Sequence, residues 1–298
     1  MPVTDPRGNG AVQLVVTDLD GTLSDAAERI HPASVQAIRD LEAGGVPVLV
    51  ATGRRLRMAC AVLEAGGLTG PAVVLDGALG LDLRDGRVFH QVAFPAAAAA
   101  RVLAAFTAAG LSPCVYVDRE GVDLVVGEHP STHPDHLARA MPWVAVDDLA
   151  RVVAAEPVYT FAVVGRPAPL LEPVLQLVGA AGSASLVGDL IYGGSTVQVR
   201  PPEISKWSGV LAYCAEQGID PGRVLAVGDG ANDLELLESA AVACVVDTAA
   251  PALLARADHL IGPPDTGGWA AVLDLAGRPV GTPGPSRQRS RTRAIRNG

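Results

Sequence analysis

Asp18 and Asp20 stand two residues apart in Asp18-Leu19-Asp20-Gly21-Thr22, which follows the apolar run of residues 11–16. Such a run reads as a buried strand, and Gly21 marks where the chain turns away from it. Carboxylates two residues apart point the same way while the backbone stays extended. Two carboxylates that close repel each other unless a cation lies between them or one holds a proton. Either outcome is useful for moving a phosphoryl group. Two other residues are conspicuous by composition. Of 23 Lys and Arg residues only Lys206 is lysine, and Asn232 is the one asparagine away from the termini. A chain that so avoids these two types is expected to keep them for chemistry. Asn232 lies in Gly228-Asp229-Gly230-Ala231-Asn232-Asp233, which brings two more carboxylates.

The elements that position these residues read as strand alternating with helix. A strand before Asp18 is followed by a helix from His31-Pro32 to about Glu42, a strand over 46–51 and a helix over 55–65. A third strand over 72–75 ends at Asp76-Gly77. After Pro201-Pro202 a helix over 205–217 leads to a strand over 223–227, then a helix to about 239, a strand over 242–246 and a last helix over 268–275. This alternation predicts a parallel sheet covered on both faces by helices, and such sheets bind ligands beyond the carboxyl ends of their strands. The intervening stretch reads differently. Hairpin patterns occur around Asp85-Gly86 and Glu120-Gly121, with a strand over 158–164, helices over 95–109 and 169–178, and short strands near Leu186 and over 196–199. The fold class is therefore α/β, a doubly wound parallel sheet interrupted by an inserted α+β unit with an antiparallel sheet.

Four segments end at the same edge of the inferred sheet, carrying Asp18 with Asp20, Thr52, Lys206, and Asp229 with Asn232 and Asp233. In this order they resemble the haloacid dehalogenase-like (HAD) hydrolase superfamily, and within it the Cof-like phosphatases, over residues 12–276. The resemblance implies a Rossmann-like core domain over 12–83 and 200–278 and an α/β cap over 84–199; outside it, residues 1–11 read as a flexible N-terminus and the proline- and arginine-rich residues 279–298 as a disordered basic tail. It implies a Mg²⁺-dependent phosphomonoester hydrolase that works through an aspartyl-phosphate on a small phosphorylated metabolite, with sugar phosphates foremost. Asp18 is then the nucleophile and Asp20 the general acid and base. Mg²⁺ takes the Asp18 and Asp229 carboxylates and the Asp20 carbonyl, with Asp233 a further ligand. Thr52, Gly53, Lys206 and Asn232 bind the phosphate. Two positions depart from the group's pattern, Asp76 for the usual Asn and Trp207 for the usual Gly. Asp76 either disfavours a second anion on the substrate or serves a turn, and Trp207 narrows the entrance.

Plainer readings stand beside these roles. Thr52 could cap a helix, Lys206 could be a surface charge, and Asp233 could serve only the helix dipole. Arg54 either contacts phosphate or forms an ion pair. The histidines in the segment from Glu128 to His136 read as a solvated cap loop, with a metal site as the alternative. A phosphomutase, or a non-enzymatic phosphate-binding or signalling module, competes with the hydrolase. A dedicated acid such as Asp20 disfavours the module and a dehalogenase. The net charge of −9, although residues 286–298 carry five arginines and no acid, argues against a nucleic-acid surface. Four scattered cysteines, no signal core and no membrane span predict a cytoplasmic protein with reduced thiols and no membrane partner.

Overall fold

The computed structural model describes residues 11–189 and 191–278; the expectations for the N-terminal lead and the basic tail lie outside them, save Ala11. In chain order the elements are β1 (Leu14–Thr17), α1 (Pro32–Ala43), β2 (Val48–Ala51), α2 (Leu56–Ala65), β3 (Pro71–Val74), β4 (Leu79–Asp82) and β5 (Arg87–Gln91). There follow α3 (Ala96–Ala108), β6 (Cys114–Arg119), β7 (Val122–Val126), α4 (Pro134–Ala140), β8 (Val144–Val146), α5 (Leu149–Ala155), β9 (Thr160–Arg166), α6 (Ala168–Leu177), β10 (Ser183–Gly188) and β11 (Ser195–Arg200). The chain closes with α7 (Lys206–Gln217), β12 (Val224–Gly228), α8 (Leu234–Ser239), β13 (Val242–Val246), α9 (Pro251–Leu254), β14 (His259–Ile261) and α10 (Val272–Ala276). These elements form two compact units, one of residues up to His90 and from Ser205, the other Gln91–Ile204.

In the first unit, eight strands run in the order β14-β13-β12-β1-β2-β3-β4-β5. The pairs from β14 to β3 are parallel, and β4 returns antiparallel to β3. Every residue of β1, β2, β3, β12 and β13 is buried, which is why they read as continuous apolar runs rather than alternating ones. The chain order moves one way from β1 through β2 and β3, and the other way from β12 through β13 and β14. The sheet thus reverses direction between β1 and β12, where an open α/β sheet leaves a crevice beyond its strand ends. Fully buried Trp269 donates its indole N–H to the Thr17 hydroxyl at 2.9 Å, tying the turn before α10 to the end of β1.

In the second unit, six strands run β10-β11-β9-β6-β7-β8. The pairs are antiparallel except β7 with β8, which is parallel, so the expectation of a purely antiparallel sheet is corrected there. The cause is α4, a crossover helix between β7 and β8 that the sequence pattern did not reveal. Phe161 centres this unit's core, with Phe94 and Phe106 rings 5.5 and 6.2 Å away. The alanine-rich stretch forms α3 and packs its Ala99, Val102 and Phe106 into that core. Among the described residues no helix is long and apolar enough to cross a membrane.

Candidate active site

Asp18 follows β1, Thr52 follows β2 and Asp229 follows β12, so three neighbouring parallel strands deliver them to one edge. The Asp18 amide still bonds the Val227 carbonyl at 2.9 Å, which holds it in register beside β12. Lys206 arrives from another direction, as the first residue of α7. Ser205 caps that helix in a reciprocal bond pair with Ser208, which fixes where Lys206 starts. The Lys206 side chain is 1 % exposed, and its Nζ donates to Asp18 Oδ1 at 2.5 Å and Asp233 Oδ1 at 2.7 Å. It is not a surface charge.

Asp233 is fully buried, and its other oxygen accepts the Asp229 and Gly230 amides at 3.1 and 2.9 Å. Asp229 accepts the Thr22 hydroxyl at 2.6 Å. Gly21 permits this approach: its φ is +78°, and a Cβ there would lie 2.5 Å from Asp229 Oδ2. One oxygen from each of Asp18, Asp229 and Asp233 lies within 4.8 Å of the others. Burial pushes the Asp18 carboxyl up, against the pull of Lys206, and the Asp233 and Asp229 charges add to the rise. Burial likewise raises Asp229. Burial alone would lower Lys206, but the charges of Asp18, Asp233 and Asp76 outweigh it and keep the ammonium protonated. One ammonium cannot neutralise three carboxylates in a buried site, and the hard oxygen donors left over suit a divalent cation of the Mg²⁺ type.

Asp20 behaves differently from its expected alignment with Asp18. The backbone leaves the extended conformation at Gly21, and Asp20 turns its exposed carboxylate to Arg54, which holds it through Nε at 2.7 Å and Nη2 at 2.5 Å. Arg54 also pairs with Glu28 at 2.9 Å, so of its two expected readings the structure has the ion pair. The carboxylate of Asp20 is outside the Asp18, Asp229 and Asp233 group. The Thr52 hydroxyl is buried and accepts the Arg54 amide at 3.1 Å; the cap of α2 is Arg55, not Thr52. Gly53 is half-buried beside Asp76. Exposed Asn232 donates its amide to Asp76 Oδ1 at 3.1 Å, rather than to Asp18.

Trp207 is half-buried and, with Phe89, packs against the apolar core of its own unit. The histidine segment is not simply a solvated loop. His133 caps α4 through Nδ1 at 3.2 Å and stacks on Tyr192 at 5.5 Å, while His136 meets the Tyr192 edge and the Tyr116 hydroxyl. These histidines belong to no metal-holding group among the described residues. Sequence reasoning assigned no role to Thr22, Glu28, Thr17 or Trp269. Thr22 could have been found, since it closes the Asp18–Thr22 segment; the others are set by tertiary packing.

Residues 15–148 and 184–273 match the haloacid dehalogenase-like hydrolase family. A phosphoglycolate phosphatase of Methanopyrus kandleri is 26% identical over 235 residues, covering 76% of this chain and 81% of that protein. The pyridoxal phosphate phosphatase YbhA of Escherichia coli is 26% identical over 270 residues, covering 84% and 93%. Among solved structures, the phosphatase BT1666 of Bacteroides thetaiotaomicron superposes with a TM-score of 0.76 at 21% identity, over 93% of this chain and 99% of that one. The sugar phosphatase BT4131 superposes at 0.70 with 20% identity, over 89% and 99%; at these identities the likeness shows the fold alone. A parallel sheet with clustered carboxylates at its reversal point defines the class as a HAD-fold hydrolase. The chain belongs to the haloacid dehalogenase-like hydrolase family.

Proposed function

We propose that this protein is a cytoplasmic, Mg²⁺-dependent phosphomonoester hydrolase acting through an aspartyl-phosphate on Asp18. Phosphatase chemistry on a small phosphorylated molecule follows from the family and from the named relatives. The observation that carries the finer reading is the sealed Lys206 ammonium, shared by Asp18 and Asp233 with Asp229 beside them. Asp18, Asp229 and Asp233 would hold the cation, with the Asp20 carbonyl; when bound, it neutralises charge on the phosphoryl oxygens.

Asp18 attacks phosphorus, forming a bond to its carboxylate oxygen as the bond to the leaving oxygen breaks. The leaving oxygen takes a proton from Asp20. In the second half Asp20 accepts a proton from water as that water attacks phosphorus, which releases phosphate and restores Asp18. Arg54 holds the Asp20 carboxylate in an ion pair, so Asp20 reaches the leaving oxygen only when that pair opens. Lys206, Thr52 and the Gly53 amide bind phosphoryl oxygens, and Asn232 joins them. Sugar phosphates come first as substrates, because the site already sets three carboxylates and Asp76 against one ammonium and disfavours a second anion on the substrate. Phosphate release from a panel of phosphorylated metabolites, with Mg²⁺ and with chelator, tests this. The panel includes sugar phosphates, phosphoglycolate and pyridoxal phosphate. Release with Mg²⁺ that stops on chelation is the expected result; release indifferent to chelation, or none from any substrate, overturns the proposal.

A further inference from the structure

The turn after β3 carries a residue to which the reaction as written gives no task. Leu75 and Asp76 both have left-handed backbones, with φ of 53° and 51°, and Gly77 follows at 110°. Consecutive non-glycine residues in that region are strained and persist where their surroundings over-determine them. The surroundings here are the other site segments. The Leu75 and Asp76 amides donate to the Arg54 and Thr52 carbonyls at 3.0 and 3.1 Å, stitching this turn to the one after β2. The Asp76 carboxylate is turned inward, 5 % exposed, and lies 3.0 Å from where a Cβ on Gly53 would stand. It receives the Asn232 amide at 3.1 Å. A Cβ on Gly77 would fall 1.9 Å from the carbonyl oxygen of Ser205, the residue that caps the helix of Lys206.

We propose that Asp76 is a positioning residue for phosphate binding: from its turn it joins the segments of Thr52-Gly53, Lys206 and Asn232, and it sets the orientation of the Asn232 amide. The inference rests on the phosphatase reading above. Asn232 is exposed on a short turn, and its side chain has rotamers to choose from. A buried carboxylate can only accept, so it dictates which end of that amide faces it. With one amide hydrogen so engaged, the other hydrogen and the oxygen are the atoms left for a phosphate. The charge of Asp76 also acts on Lys206, so both phosphate-binding side chains answer to one residue.

Asp76→Gly removes the carboxylate and tolerates the left-handed backbone, which makes it a cleaner truncation than alanine. Asp76→Asn keeps an acceptor oxygen and also tolerates positive φ. The readouts are KM and kcat for p-nitrophenyl phosphate at saturating Mg²⁺, and competitive inhibition by inorganic phosphate. Loss of a hydrogen bond to a charged group corresponds to about tenfold. Asp76→Gly is therefore expected to raise KM and the phosphate inhibition constant about tenfold, with kcat changed by less than about threefold. Asn232→Ala should match it, the double variant should be no worse than either single one, and Asp76→Asn should recover most of the loss. Unchanged or tighter phosphate binding in Asp76→Gly overturns the assignment, as does additivity with Asn232→Ala or a failure of Asp76→Asn to recover. If Asp76→Gly does not fold by thermal melt, the comparison of Asp76→Asn with Asn232→Ala decides: near-wild-type against tenfold weaker supports the proposal, and equal loss ends it. A wild-type protein with neither turnover nor phosphate inhibition takes down the phosphatase reading together with this one. Wild-type turnover with an indifferent Asp76→Gly takes down this one alone.

Discussion

Lys206 shows how far a single residue constrains the chemistry. Its buried ammonium reaches two carboxylates, and a planar guanidinium presents a wider, forked donor set. Lys206→Arg is therefore expected to keep the charge and lose about a hundredfold in turnover, the scale set by a misplacement of about 1 Å. Lys206→Ala should lose as much, measured as phosphate release from a good substrate; wild-type rates in either variant would make Lys206 dispensable. Asp18→Asn separates chemistry from folding. It removes a buried carboxylate that Asp233 and Asp229 repel and leaves Lys206 its bond to Asp233, so it should abolish turnover while the melting temperature of the metal-free protein stays level or rises. Retained activity, or a clear fall in melting temperature, would contradict this. That Asp18, Lys206, Asp229 and Asp233 come together was legible in the sequence, because strand ends, composition and the ordered motifs mark them. The direction of Asp20 and the partner of Asn232 were not. Both depend on left-handed backbone at Gly21 and at Leu75-Asp76, and in the second case no glycine announces it.

At the scale of elements, buried strands were legible from their Val, Leu and Ala runs, and helices of ten residues or more from their caps and Gly stops. Several short pieces were not. Strands β8 and β14 have three residues each, too few to show alternation, and α4 and α5 have seven, barely two turns. Asp148, which caps α5 by accepting the Ala150 and Arg151 amides, was the one signal that could have been used. Two turns give element-level predictions. Gly77→Ala must place a Cβ against the Ser205 carbonyl at a φ of 110°. Strained backbone of about 1–3 kcal/mol and overpacking of about 1–3 kcal/mol should together lower the melting temperature by many degrees, and an unchanged melt would show that the turn relaxes. The β10–β11 turn is held by Asp189. Burial would raise its carboxyl, but the Thr196 hydroxyl and the Tyr192 and Ile191 amides outweigh that and hold it below its ordinary value of 3.8. An acid depressed on folding binds fewer protons folded than unfolded, so its stabilisation is full above about 3.8 and is lost as pH falls through the lower folded value. Hydrogen exchange in β10 and β11, corrected for intrinsic rate, should therefore quicken below about pH 4 in the wild type and lose that pH dependence in Asp189→Ala.

At the scale of the whole molecule, each unit carries its own apolar core. Leu14, Val16, Val210, Ala226 and Val245 belong to one, and Phe94, Phe106, Phe161, Val174 and Val199 to the other. Every proposed site residue, from Asp18 to Asp233, lies in the first unit. The ends of that unit's interruption also converge. His90 bonds the Gly77 backbone, and Gly77 packs against Ser205, so the residues before and after the insertion meet at one turn. A separate core with nearby ends is the arrangement in which a domain can be removed or can stand alone. The segment Gln91–Ile204 expressed by itself is therefore expected to give a cooperative thermal transition by circular dichroism. A first unit closed by a short Gly/Ser linker should fold and still release phosphate from acetyl phosphate with Mg²⁺. If the inserted unit sets selectivity, as the resemblance implies for a cap, the closed unit should lose its preference among larger phosphorylated metabolites, and His133→Ala in the full chain should shift that preference more than it changes acetyl phosphate turnover. A closed unit that folds but turns over nothing would mean that the inserted segment supplies part of the catalytic machinery, and a closed unit with unchanged preferences would remove the cap from substrate choice.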